Sequence, residues 1–285
     1  MAPASWLAAA LWALPGPVHA DAGDGPGADG ARLVTLGGAV TEIVRALGAG
    51  DQVVGIDATS VNIELPGEPK EVGFFRRASI PGILSLKPTR VIALDESGPA
   101  NLWSTLEQAD VAVTRVENAI TPEAAKKRIR TIAKALGLSE RGDELVASIE
   151  RDLKAVKTPA DEPKVLFIYA RGAGTLLVAG QNTNAASMIE LAGGEQAVTA
   201  FEGFKPFSPE AVIAAAPDVL LMTDTGLRSL GGEAAIRSHE VLGRTPAVKN
   251  GHIVTLGDLE LLGFGPSLGT AAQKLARALS EASDG

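Results

Sequence analysis

The chain has 285 residues, 46% of them hydrophobic, with a formal net charge of -8 and no cysteine. That length exceeds the usual single core and favours two lobes, while the acidic balance argues against a nucleic-acid surface; the short basic clusters Arg76-Arg77 and Lys126-Lys127-Arg128 do not make a basic face. Lack of cysteine removes disulfides, thiolate metal sites, cysteine nucleophiles and an anchor on an N-terminal cysteine, and no apolar run is long enough to span a bilayer.

Residues 1–20, MAPASWLAAALWALPGPVHA, have an apolar centre, Pro15 and Pro17 after it, and a small-residue end. They read as a secretory leader cleaved after Ala20, although the usual positive residues before the apolar centre are missing. The expected product is a soluble periplasmic protein. Residues 21–31 form a Gly/Asp/Pro linker with no means of building a core. Gly25, Gly27 and Gly30 fit GxGxxG, but no strand precedes them and Pro26 lies inside, so this is not a dinucleotide loop.

A first α/β lobe is expected over residues 32–138. Arg32 to Leu36 reads as a strand, and Gly37-Gly38 leads straight into the helix AVTEIVRALG. A Gly-Gly turn of this kind can offer free backbone N–H groups to an anionic ligand, or can be a tight turn without one. After a strand over Gln52 to Ile56 and a polar loop comes Val72-Gly73-Phe74-Phe75-Arg76-Arg77, two rings beside two guanidinium groups. A flat apolar ligand carrying carboxylates would use rings for its face and Arg for its edge. The plainer alternative buries one Phe, leaves the other partly exposed and solvates both Arg. Thr89 to Leu94 is a strand ending at Asp95, Glu96 and Ser97, so Gly37, Gly38, Phe74, Phe75, Arg76 and Arg77 gather where strand carboxyl ends line a crevice.

Residues 139–157, SERGDELVASIERDLKAVK, predict an amphipathic helix with Leu145, Ile149, Leu153 and Val156 on one stripe, Ser139 as N-cap and Lys154 and Lys157 at its end. The sequence on either side carries the same unit twice: LGAGDQVV and LAGGEQAV, then ILSLKPTRVIAL and VIAAAPDVLLMT. The spacing between the two landmarks differs, so these are like lobes and not a short-period solenoid. The second lobe is expected over residues 158–285. Its first strand, Lys164 to Ala170, ends near Tyr169, the single tyrosine, with Arg171 opening a Gly-rich loop. Both residues fall where this lobe would face the crevice, Tyr169 as a possible metal ligand or as a half-buried strand residue.

His239 and His252 are too few and too far apart for a zinc or manganese site, and Met188 and Met222 suit cores. Gly265-Pro266-Ser267-Leu268-Gly269 fits the G-x-S-x-G elbow of hydrolases, but no His follows it. Enzyme activity is not expected.

The segments LGGAVTEIVRALGAGDQVVGIDATS, VGFFRRASIPGILSLKPTRVIA, LLVAGQNTNAASMIELAGGEQAV, GFKPFSPEAVIAAAPDVLLMTDTGLRSLGG and LLGFGPSLG together resemble the periplasmic haem-binding components of bacterial ABC haem importers, relatives of cobalamin- and siderophore-binding proteins. The resemblance implies two Rossmann-like α/β lobes joined by a single long linking helix, a monomer holding haem in the cleft as transported ligand with no catalytic cofactor, and an inner-membrane ABC permease as partner. It also assigns LLGFGPSLG to a surface loop. The family's iron-ligating tyrosine lies in V-G-Y-x-R, so Phe74 stands at the ligand position here, with Arg76 retained; the metal ligand is thus unknown. A permease-docking Glu is retained in the second lobe as Glu210, whereas Pro81 replaces its first-lobe counterpart and Glu71 is a neighbouring substitute. Phenylalanine has no donor atom for iron, which keeps a cobalamin or ferric-siderophore ligand as the alternative.

Overall fold

In the computed structural model, residues 30–172 and 176–283 are described. The expected leader and the linker up to residue 29, with Gly25, Pro26 and Gly27, lie outside them.

The first lobe is a parallel sheet with alternating helices: β1 (Leu33–Leu36), α1 (Gly38–Ala46), β2 (Val53–Ile56), β3 (Lys70–Glu71), α2 (Ile80–Ser85), β4 (Arg90–Leu94), α3 (Leu102–Gln108), β5 (Ala112–Val116) and α4 (Pro122–Ala135). The sheet order is β3-β2-β1-β4-β5, every pair parallel. β1 lies at the centre, and all four residues of its LVTL run are buried, as a strand covered on both faces requires.

Past α5 (Ser139–Lys154), the second lobe contains β6 (Lys164–Ala170), β7 (Leu176–Ala179), α6 (Asn184–Leu191), β8 (Glu195–Gln196), β9 (Phe204–Pro206), α7 (Pro209–Ala215), β10 (Val219–Thr223), α8 (Asp224–Ser229), α9 (Glu233–Ser238), α10 (Pro246–Asn250), β11 (Ile253–Leu256), α11 (Asp258–Leu262) and α12 (Leu268–Ser283). Its sheet runs β11-β10-β6-β7-β9, with β8 also pairing β6. β10, β11 and β8 are parallel to their partners, but β7 runs antiparallel to β6, and β9 to β7. Only residues 171–175 separate β6 from β7, too short a connection for a crossover helix, so a hairpin forms. The second lobe is therefore a mixed sheet, departing from a fully parallel Rossmann-like unit on this side.

α5 ends at Lys154 and not at Lys157, and its N-cap is Leu138 without a side-chain cap bond, so Ser139 sits inside the first turn. Its buried face is Gly142, Val146 and Ile149, with Leu145, Leu153 and Val156 partly buried at the margins. α5 does not stand alone between the lobes. A Cβ on Gly142 would lie 2.5 Å from Ala133 of α4, and one on Gly269 of α12 would lie 2.4 Å from Asp152, so glycines allow both helices to press against it. Gln273 of α12 donates to the Asp152 carbonyl at 2.6 Å, and Arg141 to the Leu47 carbonyl at 3.0 Å.

One apolar cluster runs through the junction, from Leu36, Val91 and Ile132 to Val165, Phe167, Ile189 and Leu275. A second fills the outer part of the second lobe around Leu166, Ile168, Val212, Leu220 and Met222. The period-2 alternation of β6 splits Val165 and Phe167 from Leu166 and Ile168, so a single strand serves both cores. Met188 and Met222 are fully buried core residues.

Candidate functional site

The carboxyl end of β1 opens on Gly37, whose φ of 112° is in the region that favours glycine. Its N–H donates to Asp57 Oδ1 at 2.9 Å, and the Gly38 N–H donates to Thr59 Oγ1 at 2.7 Å. Asp57 is fully buried and also accepts from the Thr59 N–H, the Thr59 hydroxyl and the Ser60 hydroxyl at 2.7–3.0 Å. The anion at the start of α1 is thus supplied by the protein itself. Gly37 and Gly38, expected to offer their N–H groups to a ligand, have already spent them on the loop after β2.

The aromatic segment is held differently. Gly73, with φ 92°, turns the chain after buried Val72, and Phe75–Arg77 form a short 3₁₀ turn. Phe75 O accepts from the Gly98 N–H at 3.0 Å and the Ala78 N–H donates to Gly98 O at 2.9 Å, which straps the turn to the chain beyond β4. Phe75 is buried, Phe74 half-buried, and their rings meet at 4.6 Å with a 52° tilt. The Arg76 guanidinium lies 4.5 Å from the Phe75 ring centroid and 5.9 Å from that of Phe74. It is ion-paired with Glu96, which also accepts from Asn118 Nδ2 at 2.8 Å. The two rings follow the plainer expectation, yet Arg76 is fixed over them rather than merely solvated, and Arg77 is exposed with no ion pair among the described residues. Glu96 and Asn118, at the ends of β4 and β5, complete a rigid platform of two rings and one countered guanidinium.

On the second lobe, Tyr169 is half-buried near the end of β6, with the Phe204 ring edge-on at 6.2 Å and the Arg171 guanidinium 5.8 Å from its centroid. Each lobe thus keeps its candidates in a self-contained set at strand carboxyl ends. Phe204 was not singled out by the sequence.

Glu210 is exposed at the second position of α7, behind the N-cap Ser208. Its own backbone N–H and the Ser208 hydroxyl, 3.0 Å away, hold its carboxyl below the usual range. Pro81 takes the same position in α2 behind the N-cap Ser79, and Glu71 is exposed on β3.

The remaining candidates are structural. His239 Nδ1 accepts from the Val241 and Leu242 N–H groups, His252 Nδ1 lies 3.2 Å from the Asp218 carbonyl, and no group of three or more His, Cys, Asp or Glu among the described residues could hold a metal ion. The G-x-S-x-G stretch follows α11 rather than a strand, so it is no elbow. Nor is it the expected surface loop: Gly265, Leu268 and Gly269 are buried. Packed against it is Arg128, which the sequence read as part of a short basic cluster but which is 1% exposed. Its Nη2 donates to the carbonyls of Gly263 and Phe264 at 2.6 Å, while Ser267 Oγ approaches Glu42 Oε1 at 3.4 Å. Arg128 Nε and Nη1 and Glu42 Oε2 are buried without partners. Burial lowers the Arg128 pKa to about 10, opposed by the charges of Glu42 and Glu117. Burial raises that of Glu42, opposed by the Ser267 hydroxyl and by Arg45 and Arg128.

The pattern of the periplasmic binding protein family matches residues 33–259. The periplasmic haem-binding protein RhuT of Roseiflexus sp. RS-1 is 40% identical, with a TM-score of 0.83 and a match covering 88% of this chain and 98% of that one. The ABC transporter substrate-binding lipoprotein YvrC of Bacillus subtilis is 27% identical across 87% of this chain and 79% of its own length. The vitamin B12-binding protein of Vibrio parahaemolyticus is 24% identical across 79% and 80%. The chain, with its two sheets, belongs to the periplasmic binding protein family, as the substrate-binding component of an ABC transporter and not an enzyme.

Proposed function

We propose that the protein binds haem between its lobes in the periplasm and delivers it to an inner-membrane ABC permease for haem-iron uptake. The observation that carries this reading is the platform of Phe74, Phe75 and Arg76, fixed by Glu96, in a chain 40% identical to a haem-binding protein. The half-buried Phe74 ring, backed by Phe75, suits the face of a porphyrin, and exposed Arg77 suits a propionate at its edge. In the same reading Tyr169 and Arg171, at the end of β6, serve the ligand from the other lobe. In this reading the leader is cleaved after Ala20, the lobes span residues 32–138 and 158–285 about a linking segment at 139–157 built on α5, Glu210 docks the permease, and the protein acts as a monomer. Titrating the purified protein with haemin while recording the Soret band tests it: saturable binding is expected, and an unshifted band rejects haem. N-terminal sequencing of periplasmic protein should begin near Asp21.

A second reading, a corrinoid, is favoured by the vitamin B12-binding relative and by Phe74, which offers a metal no donor atom. It predicts that cyanocobalamin, and not haemin, quenches tryptophan fluorescence.

A further inference from the structure

Although its sheet is mixed, one stretch of the second lobe repeats backbone landmarks of the first. Ser79 and Ser208 cap α2 and α7; Lys87 (φ 49°) and Ala216 (φ 41°) end those helices in the left-handed region, each before a proline; Asp95 and Asp224 follow β4 and β10. These pairs share a single spacing in the sequence, and Gly73 (φ 92°) and Gly203 (φ 73°) fall one position off it. Each of these glycines is followed by a phenylalanine, Phe74 on one lobe and Phe204 on the other.

Phe204 is 40% exposed on β9, at the edge of its sheet. Its ring meets Phe167 at 6.3 Å and Tyr169 at 6.2 Å, both edge-on, and Arg171 caps the Tyr169 ring. A phenylalanine therefore recurs beside the place the internal repeat assigns to the Phe74 platform, and β6 sets the Tyr169 ring and the Arg171 guanidinium next to it. We infer that Phe204, with Tyr169 at its edge, is the second-lobe contact for the ligand, so that a planar macrocycle is gripped by one phenylalanine from each lobe. An apolar ring left this exposed on an edge strand gains most from a flat apolar partner.

The inference rests on the ligand reading above, and the test separates the two. Wild type, Phe204→Ala, Phe204→Trp and the control Val61→Ala, which trims another exposed apolar residue, are titrated with haemin and with metal-free protoporphyrin IX, their melting temperatures being checked first. Phe204→Ala should weaken both ligands by roughly tenfold, the size expected for losing one stacked ring with its buried area. Phe204→Trp, which keeps a ring, should retain binding and be quenched by the porphyrin, and Val61→Ala should match wild type. Wild-type binding with an unaffected Phe204→Ala overturns the role of Phe204 and leaves the ligand reading standing. Should wild type bind neither porphyrin, both fail.

Discussion

Replacing Arg128 by methionine removes the buried guanidinium that ties α4 to the turn before α12. Its two bonds to the Gly263 and Phe264 carbonyls are 2.6 Å long, and hydrogen bonds from a charged donor contribute on the order of 1.5–3 kcal/mol each. Against them stands the desolvation that brings its pKa down to about 10, ~3 kcal/mol at about 1.4 kcal/mol per pH unit. The whole cluster is thus near break-even with an apolar replacement, but removing one member is not neutral. Arg128→Met strands two buried carbonyls and the Glu42 carboxylate, and should cost about 3–5 kcal/mol. At about 2–4 °C per kcal/mol, the melting temperature should fall by roughly 10 °C. Arg128→Met/Glu42→Gln should recover a good part of that loss, since no charge is left behind. Calorimetric melts at about pH 5 and pH 8 add a second check. A carboxyl whose folded-state pKa is raised contributes stability that is full below its unfolded pKa and lost as pH rises through the folded one. Without Arg128 the raised pKa of Glu42 goes higher still, so the single variant should lose less at the acid end. Equal losses in the single and double variants, or a loss that grows toward acid, would refute the reasoning.

Phe74→Tyr should tighten haemin binding by about tenfold or more, ~1.4 kcal/mol, and add a tyrosinate-to-iron band; an unchanged titration and spectrum would mean that iron does not face position 74. Glu210→Ala should leave ligand binding intact while slowing permease-stimulated transport in vesicles, because exposed interfacial charges govern partner encounter; unchanged transport reduces Glu210 to a helix-start residue. Asp57→Ala orphans the Gly37 N–H and empties the loop around Thr59 and Ser60, so a loss of about 3 kcal/mol or more is expected in denaturant unfolding; a variant as stable as wild type would show that the Gly37 N–H does not depend on Asp57.

What the sequence disclosed followed from local period and caps. β6 could be read to the residue because KVLFIYA is apolar on both faces, and the ends of α2 and α7 were marked by the prolines at 88 and 217. What it concealed involves partners far along the chain. The Gly37-Gly38 turn looks like an open anion site until Asp57, the first residue after β2, is brought beside it by the pairing of β1 with β2. Arg128 reads as one of three basic residues in a row, yet it shares the buried stripe of Ala125, Ile129 and Ile132, so helical period outweighed the charge run. The β6–β7 hairpin was missed because its connection falls in a stretch legible only as a loop.

Position two of α2 and α7 shows the same logic from the other side. Pro81 satisfies a helix start through its fixed φ, and Glu210 through its own N–H and Ser208. Either residue serves the fold equally well at that position. The S-x-P and S-P-E patterns therefore predict a helix on both lobes, whichever of an apolar ring or a carboxylate stands there.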